Sequence, residues 1–160
     1  MPVLSVEDAA AFVERERRAG RRIVFTNGVF DLLHIGHVRY LKQSRALGDV
    51  LVVGVNADAS VRRLGKGPER PVTPEAERAE IVAGLAVVDA VVVFTEDTPA
   101  ATIERLVPDV LVKGADWEGR ENPGQKFIEA RGGRMVFIPL ETGYSTTNTL
   151  ERLNRRRERD

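Results

Sequence analysis

The chain has 160 residues, enough for one compact domain with a substantial core, and is 42% hydrophobic and 30% charged, as in an ordinary soluble globular protein. Lysine plus arginine equals aspartate plus glutamate at 24 each, so no global basic field recruits nucleic acid or anionic membrane, and any bound anion must be held locally. The absence of cysteine excludes disulfides, thiolate chemistry and cysteine-ligated zinc.

The opening "MPVLSVEDAAAFVERERRAG" has neither an apolar signal core nor a cleavage site, and no apolar run is long enough to span a bilayer. A cytoplasmic location is expected. A charged helix is expected over about residues 5–19. "RRIVFTNG" is then a short apolar run ending at a glycine, suited to a strand buried on both faces. "HVRYLKQSRALGD" has apolar residues at helical spacing, and "VLVVGVNAD" is a second buried strand. The stretch 62–72, "RRLGKGPERPV", reads as a mobile surface loop. "TPEAERAEIVAGL" predicts a helix capped by Thr73, with Pro74 at the first helical position and acids in the first turn. "DAVVVF", "DVLVKG" and "RMVFIPL" read as further strands, separated by helices in "DTPAATIERL" and "GQKFIEARGG". A closing helix is expected over about 145–157.

Strands alternating with helices imply right-handed βαβ crossovers: an α/β domain over residues 1–160, with a parallel sheet of about five strands and helices on both faces. In such sheets ligands collect beyond the carboxyl ends of the strands. "TNGVFDLLHIGH", residues 26–37, lies at the end of the first of these strands and holds both histidines of the chain, His34 and His37. Coincidence is one reading of the pair. Zinc is another, but no third histidine and no cysteine exists to complete a site, so no metal ligand is assigned. A phosphate explains more of the residues. A helix N-terminus presents unpaired N–H groups and partial positive charge, and two imidazoles there can donate to adjacent phosphoryl oxygens. Gly36 and Gly28 remove side chains that would hold a phosphate off the backbone, and Asn27, Gly28 and Phe30 are expected to line the pocket floor. Asp31 is a poor phosphate neighbour, better suited to orienting the turn or helping hold a cation.

"GVFDLLHIGH" resembles the signature of the HxGH nucleotidyltransferase superfamily. "NADASVRRL", "RPVTPEAER", "EDTP", "DVLVKGADW" and "GYSTTNTLERL" extend the resemblance, in order, to the heptose 1-phosphate adenylyltransferases, including the C-terminal half of the bifunctional heptose kinase/adenylyltransferase. That resemblance implies a Rossmann-like nucleotidyltransferase fold. It also implies transfer of AMP from ATP to D-glycero-D-manno-heptose 1-phosphate, with release of pyrophosphate, a magnesium ion accompanying ATP, and a homodimer. A related family, glycerol-3-phosphate cytidylyltransferase, carries an Arg-Thr pair before its "STT" block; here Leu140 and Glu141 stand in those places. A non-catalytic nucleotide sensor is disfavoured because both histidines and "STT" are intact.

Under this resemblance His34 and His37 hold the triphosphate, and Lys66 is a candidate for its β- or γ-phosphate against a plain solvated lysine. Arg78 matches an arginine of the superfamily's "ER" helix, with a surface ion pair as the competing role. Asp58 is either a polar contact or a helix cap. Lys113 and Gly114 end a strand at the carboxyl edge, where a ligand contact is favoured. Ser145, Thr146 and Thr147 open the closing helix, where hydroxyls and free N–H groups can cap or touch a phosphate. Trp117 is open between stacking on a ligand and an interface.

Overall fold

The computed structural model describes residues 2–65, 67–140, 143–147 and 149–150. Lys66 and most of the expected closing helix, together with Glu141, lie outside the described residues. Among them, no helix is long and apolar enough to cross a membrane.

The elements run β1 (Val3–Leu4), α1 (Val6–Arg18), β2 (Ile23–Gly28), α2 (Ile35–Arg45), β3 (Val50–Asn56), α3 (Asp58–Arg63), α4 (Glu75–Ala83), β4 (Ala90–Phe94), α5 (Ala100–Leu106), β5 (Val110–Gly114), α6 (Gln125–Glu129) and β6 (Arg134–Ile138). All strand pairs are parallel, in the order β1-β4-β3-β2-β5-β6. The sheet has six strands rather than about five. The extra one is a two-residue strand, too short to leave a pattern, that pairs Val3 and Leu4 with Val91 and Val92 on an edge.

Alternation along each strand builds two cores. Val24, Leu51, Val53 and Val110 face one layer with Leu41 of α2 and Ala79 and Val82 of α4. Ile23, Phe25, Val50 and Leu111 face the other with Val13 of α1, Ile103 of α5 and Ile128 of α6. Both faces are covered, which is why the strands read as unbroken apolar runs.

Helix starts follow capping chemistry with small shifts. Ser5 caps α1, its hydroxyl accepting from the Asp8 N–H at 3.1 Å. Pro74 takes an extended ψ of 149°, so α4 begins at Glu75 and the expected Thr73 cap is displaced by one residue. The expectation of a mobile loop over 62–72 is corrected at both ends: α3 extends through Arg63, and Arg70 is buried at 8% exposure.

The amino-terminal edge of the sheet is closed by three aspartates of one design. The N–H groups of Asp49, Asp89 and Asp109 donate to the carbonyls of Arg22, Leu51 and Ile23, each at 2.9 Å. The Asp49 and Asp89 carboxylates accept the N–H groups of Arg22 and Leu51 at 2.8 Å, and that of Asp109 accepts from Ile23 at 2.7 Å. Each aspartate thus satisfies both backbone groups of one neighbouring-strand residue and pins the register.

Candidate active site

The chain leaves β2 to build β3 and β4 on one side, then returns to build β5 and β6 on the other. The strand order therefore reverses between β2 and β5, the position where open parallel sheets bind ligands. A cavity of about 320 Å³ opens there, lined by Asn27, Gly28, Val29 and Phe30 after β2, by Lys113 and Gly114 at the end of β5, and by the first turn of α2.

His34 is the N-cap residue of α2, in extended conformation, and His37 lies in the first turn. Their rings stack with centroids 3.8 Å apart and planes 22° apart. His37 Nδ1 accepts the His34 backbone N–H at 3.4 Å, which leaves the proton of the neutral ring on Nε2, as a donor. His34 Nδ1 is buried and has no hydrogen-bond partner among the described residues. Burial also lowers the His34 pKa, so the neutral ring is favoured. Such an orphaned polar atom is rare in a folded protein and marks a place where a further group is expected.

Gly36 lines the cavity as expected, and its missing side chain also matters to packing. A Cβ at this position would lie 3.0 Å from the His34 ring and 3.2 Å from Tyr144 Cβ. Its bare backbone seats the imidazole against the helix. Gly28 likewise leaves room for the Phe30 ring, 3.1 Å from where a Cβ would stand.

Lys113, which also lines the cavity, is buried at 5% exposure, donates to Asn27 Oδ1, and lies 5.1 Å from the centre of the Trp117 ring. Burial lowers its pKa to about 8, against an opposing pull from Asp116. The floor is braced by Tyr40, whose hydroxyl lies 2.8 Å from Thr26 Oγ1, which donates to the Val112 carbonyl at 3.1 Å. The single Thr26 proton is used there, so Tyr40 donates to Thr26. Burial pushes the Tyr40 hydroxyl up, away from ionisation.

The structure brings together ten of the expected residues around the cavity: Asn27, Gly28, Phe30, His34, Gly36, His37, Lys113, Gly114, Ser145 and Thr146. Thr146 nevertheless spends its hydroxyl on the Asp31 carbonyl, at 2.6 Å. Thr147 is exposed and does not line the cavity. Nor does Asp31, whose carboxylate is bound by Arg70 and by the N–H groups of Val72 and Thr73. The expectation of a ligand contact is corrected most clearly at Arg78. It is 1% exposed and spans Thr73 O, Val29 O, Asn56 O and Asp58 Oδ1 at 2.6–2.8 Å. Its guanidinium ties the loop after β2 to the end of β3 and to α4, and Asp58 is its ion-pair partner rather than a ligand contact.

Sequence reasoning missed Val29, Tyr40, Asp116, Leu140 and Tyr144 as lining residues, and left Trp117 open; Trp117 lines the cavity. Tyr40 had a usable signal, lying three residues after His37 on the same helical face.

Residues 25–149 match the family described as cytidylyltransferase-like. The chain is 55% identical over 141 residues to the bifunctional protein HldE of Syntrophotalea carbinolica, covering 88% of this chain and 29% of that protein. It is 52% identical over 151 residues to its counterpart in Geotalea uraniireducens, covering 94% and 31%. The chain thus spans about three tenths of the length of the curated relatives it matches. A crystal structure of the lipopolysaccharide core biosynthesis protein from Thermoplasma volcanium is 34% identical with a TM-score of 0.64, covering 79% of this chain and all of that one. Pantoate-beta-alanine ligase from Francisella tularensis, 13% identical with a TM-score of 0.61 over 93% of this chain and 73% of its own, shares the fold alone. From the switch-point cavity and these matches together, the chain belongs to the cytidylyltransferase-like family of nucleotidyltransferases.

Proposed function

We propose that the protein transfers AMP from ATP to a heptose 1-phosphate, D-glycero-D-manno-heptose 1-phosphate in the first instance, giving ADP-heptose and pyrophosphate. The observation that carries the reading is the stacked His34–His37 pair at the N-terminus of α2, inside the switch-point cavity. The ordered likeness to HldE supports the heptose acceptor.

In this reading a phosphate oxygen of the acceptor attacks the α-phosphorus of ATP. The new P–O bond forms as the bond to the β,γ-pyrophosphate breaks, and pyrophosphate leaves with the electron pair. The acceptor monoester is already ionised near neutral pH, so no side chain needs to act as a base. The chain positions the reactants and stabilises charge. His37 Nε2–H and the His34 ring donate to the triphosphate, joined by the amides of the first turn of α2. Lys113, protonated below about pH 8, supplies positive charge from the end of β5. Trp117 offers a face for base or sugar.

A magnesium ion is part of this proposal. Among the described residues Asp116 is the carboxylate that lines the cavity and would help hold the ion, which commonly takes few protein ligands and keeps several waters. When bound, it neutralises charge on the phosphate oxygens.

Pyrophosphate release across ATP, CTP, GTP and UTP, each with heptose 1-phosphate and glycerol 3-phosphate, tests the proposal. ATP with the heptose 1-phosphate is expected to give the highest kcat/KM. CTP with glycerol 3-phosphate as the best pair would replace the reading with the cytidylyltransferase one, and nucleotide binding without pyrophosphate release would replace it with a sensor.

A further inference from the structure

Asp31 and Arg70 are 39 residues apart, and neither lines the cavity. Yet Asp31, three residues before His34, is 1% exposed and is the point where three chain segments meet. Its carboxylate accepts from Arg70 Nε at 2.6 Å and from the N–H groups of Val72 and Thr73 at 3.0 Å each. Its carbonyl accepts the hydroxyl of Thr146, which is itself 8% exposed, at 2.6 Å. The residues on either side, Phe30 and Leu32, both take a φ of +50°, the left-handed region that non-glycine residues enter at a cost. Such backbone persists only where its surroundings over-determine it, and here the bonds to Asp31 do so.

The consequence lies in what those segments carry. Thr146 follows Tyr144 and Ser145, and all three line the cavity. Tyr144 stands against the first turn of α2, beside the His34 ring. We propose that Asp31 is a positioning residue: Arg70 locks its carboxylate, and its carbonyl in turn holds Thr146, and with it Tyr144 and Ser145, over the imidazole pair. Arg70 therefore acts on the nucleotide site without touching it. The effect on ligand rests on the nucleotide reading above, whereas the coupling between the segments does not.

A double-mutant cycle tests the coupling, with Arg70→Met, Thr146→Val and both together in the full chain. Calorimetric titration with ATP and magnesium is expected to show each single variant weakened about tenfold, equivalent to about 1.4 kcal/mol. The double variant is expected within about twofold of the weaker single one, because both changes break one chain of contacts. Independent effects that multiply towards a hundredfold would overturn the proposal. Amide hydrogen exchange without nucleotide is the second reading. In Arg70→Met, residues 144–147 are expected to exchange at least about tenfold faster while the β3 amides keep their protection. No change at 144–147, or a uniform rise across the chain, would overturn the coupling. If the parent chain binds no nucleotide while the local exchange effect is present, the coupling stands and the nucleotide reading falls. Arg70→Lys keeps the charge without the planar fork, and is expected to lie between parent and Arg70→Met in both measurements. It carries the same tests if Arg70→Met does not fold.

Discussion

The two edges of one sheet are built on opposite terms. At the amino edge, Asp49, Asp89 and Asp109 each accept and donate to the same neighbouring-strand residue, so that local polar groups are spent on one another. At the carboxyl edge, His34 Nδ1 has no partner among the described residues, Lys113 is buried with its pKa pulled down to about 8, and Phe30 and Leu32 hold left-handed backbone. Each of these costs free energy in the isolated chain. An anionic ligand would offset the two electrostatic costs, by accepting hydrogen bonds and by stabilising the protonated lysine. The contrast separates residues that hold the fold from residues that wait for a ligand, and it is open to direct attack.

The largest expected effect is at His37. His37→Ala should lower turnover by about 10²–10³, the scale for removing one preorganised donor to developing charge, with the melting temperature little changed. Steady-state pyrophosphate release beside a thermal melt checks both halves. Next is Gly36→Ala. Helix propensity favours alanine by up to about 1 kcal/mol, yet the new methyl would press on the His34 ring at 3.0 Å. Turnover is expected to fall about tenfold with stability unchanged or improved, a loss that packing alone would not produce.

Lys113→Met should weaken ATP about tenfold at pH 7, the scale of one charge-assisted bond, as read by titration. In the parent chain, affinity should fall as pH rises through about 8, and in the variant that fall should be absent. Stability should move the other way. The unfolded lysine titrates near 10.5 and the folded one near 8, so between these values the unfolded chain holds more protons and the fold gains stability as pH rises. The smallest effect on turnover is expected at the amino edge. Asp109→Ala leaves the buried Ile23 N–H unpaired and should cost about 1–3 kcal/mol in denaturant unfolding, with KM and kcat unchanged. A large kinetic effect there would blur the distinction between the edges.

How much of this was legible in the sequence follows from distance along the chain. The order of strands and helices rests on periodicity and caps, which are local, and the described residues follow that order with a two-residue strand and the short helix α3 added. The histidine pair sits within one helical turn, and Lys113 ends a strand, so both were readable in place. Asp31 with Arg70, and Thr146 with the Asp31 carbonyl, join residues 39 and 115 positions apart. No local pattern encodes such pairs. Arg78 shows the same limit from the other side: an exposed arginine and a fully buried one look alike in "PEAERAE" until the four oxygens around its guanidinium are placed. Gly36 was singled out for leaving its backbone open to a phosphate; its packing against the His34 ring, a second reason for a glycine there, had no signal in the sequence.

Because the chain contains only two histidines, proton NMR of their ring signals during titration with ATP and magnesium reads the central claim without ambiguity. Both sets of ring signals should shift as ATP saturates, and the pKa of His34, held down by burial in the free chain, should rise as phosphate charge arrives beside it. Saturable ATP binding that leaves both rings and their titration unmoved would contradict the account.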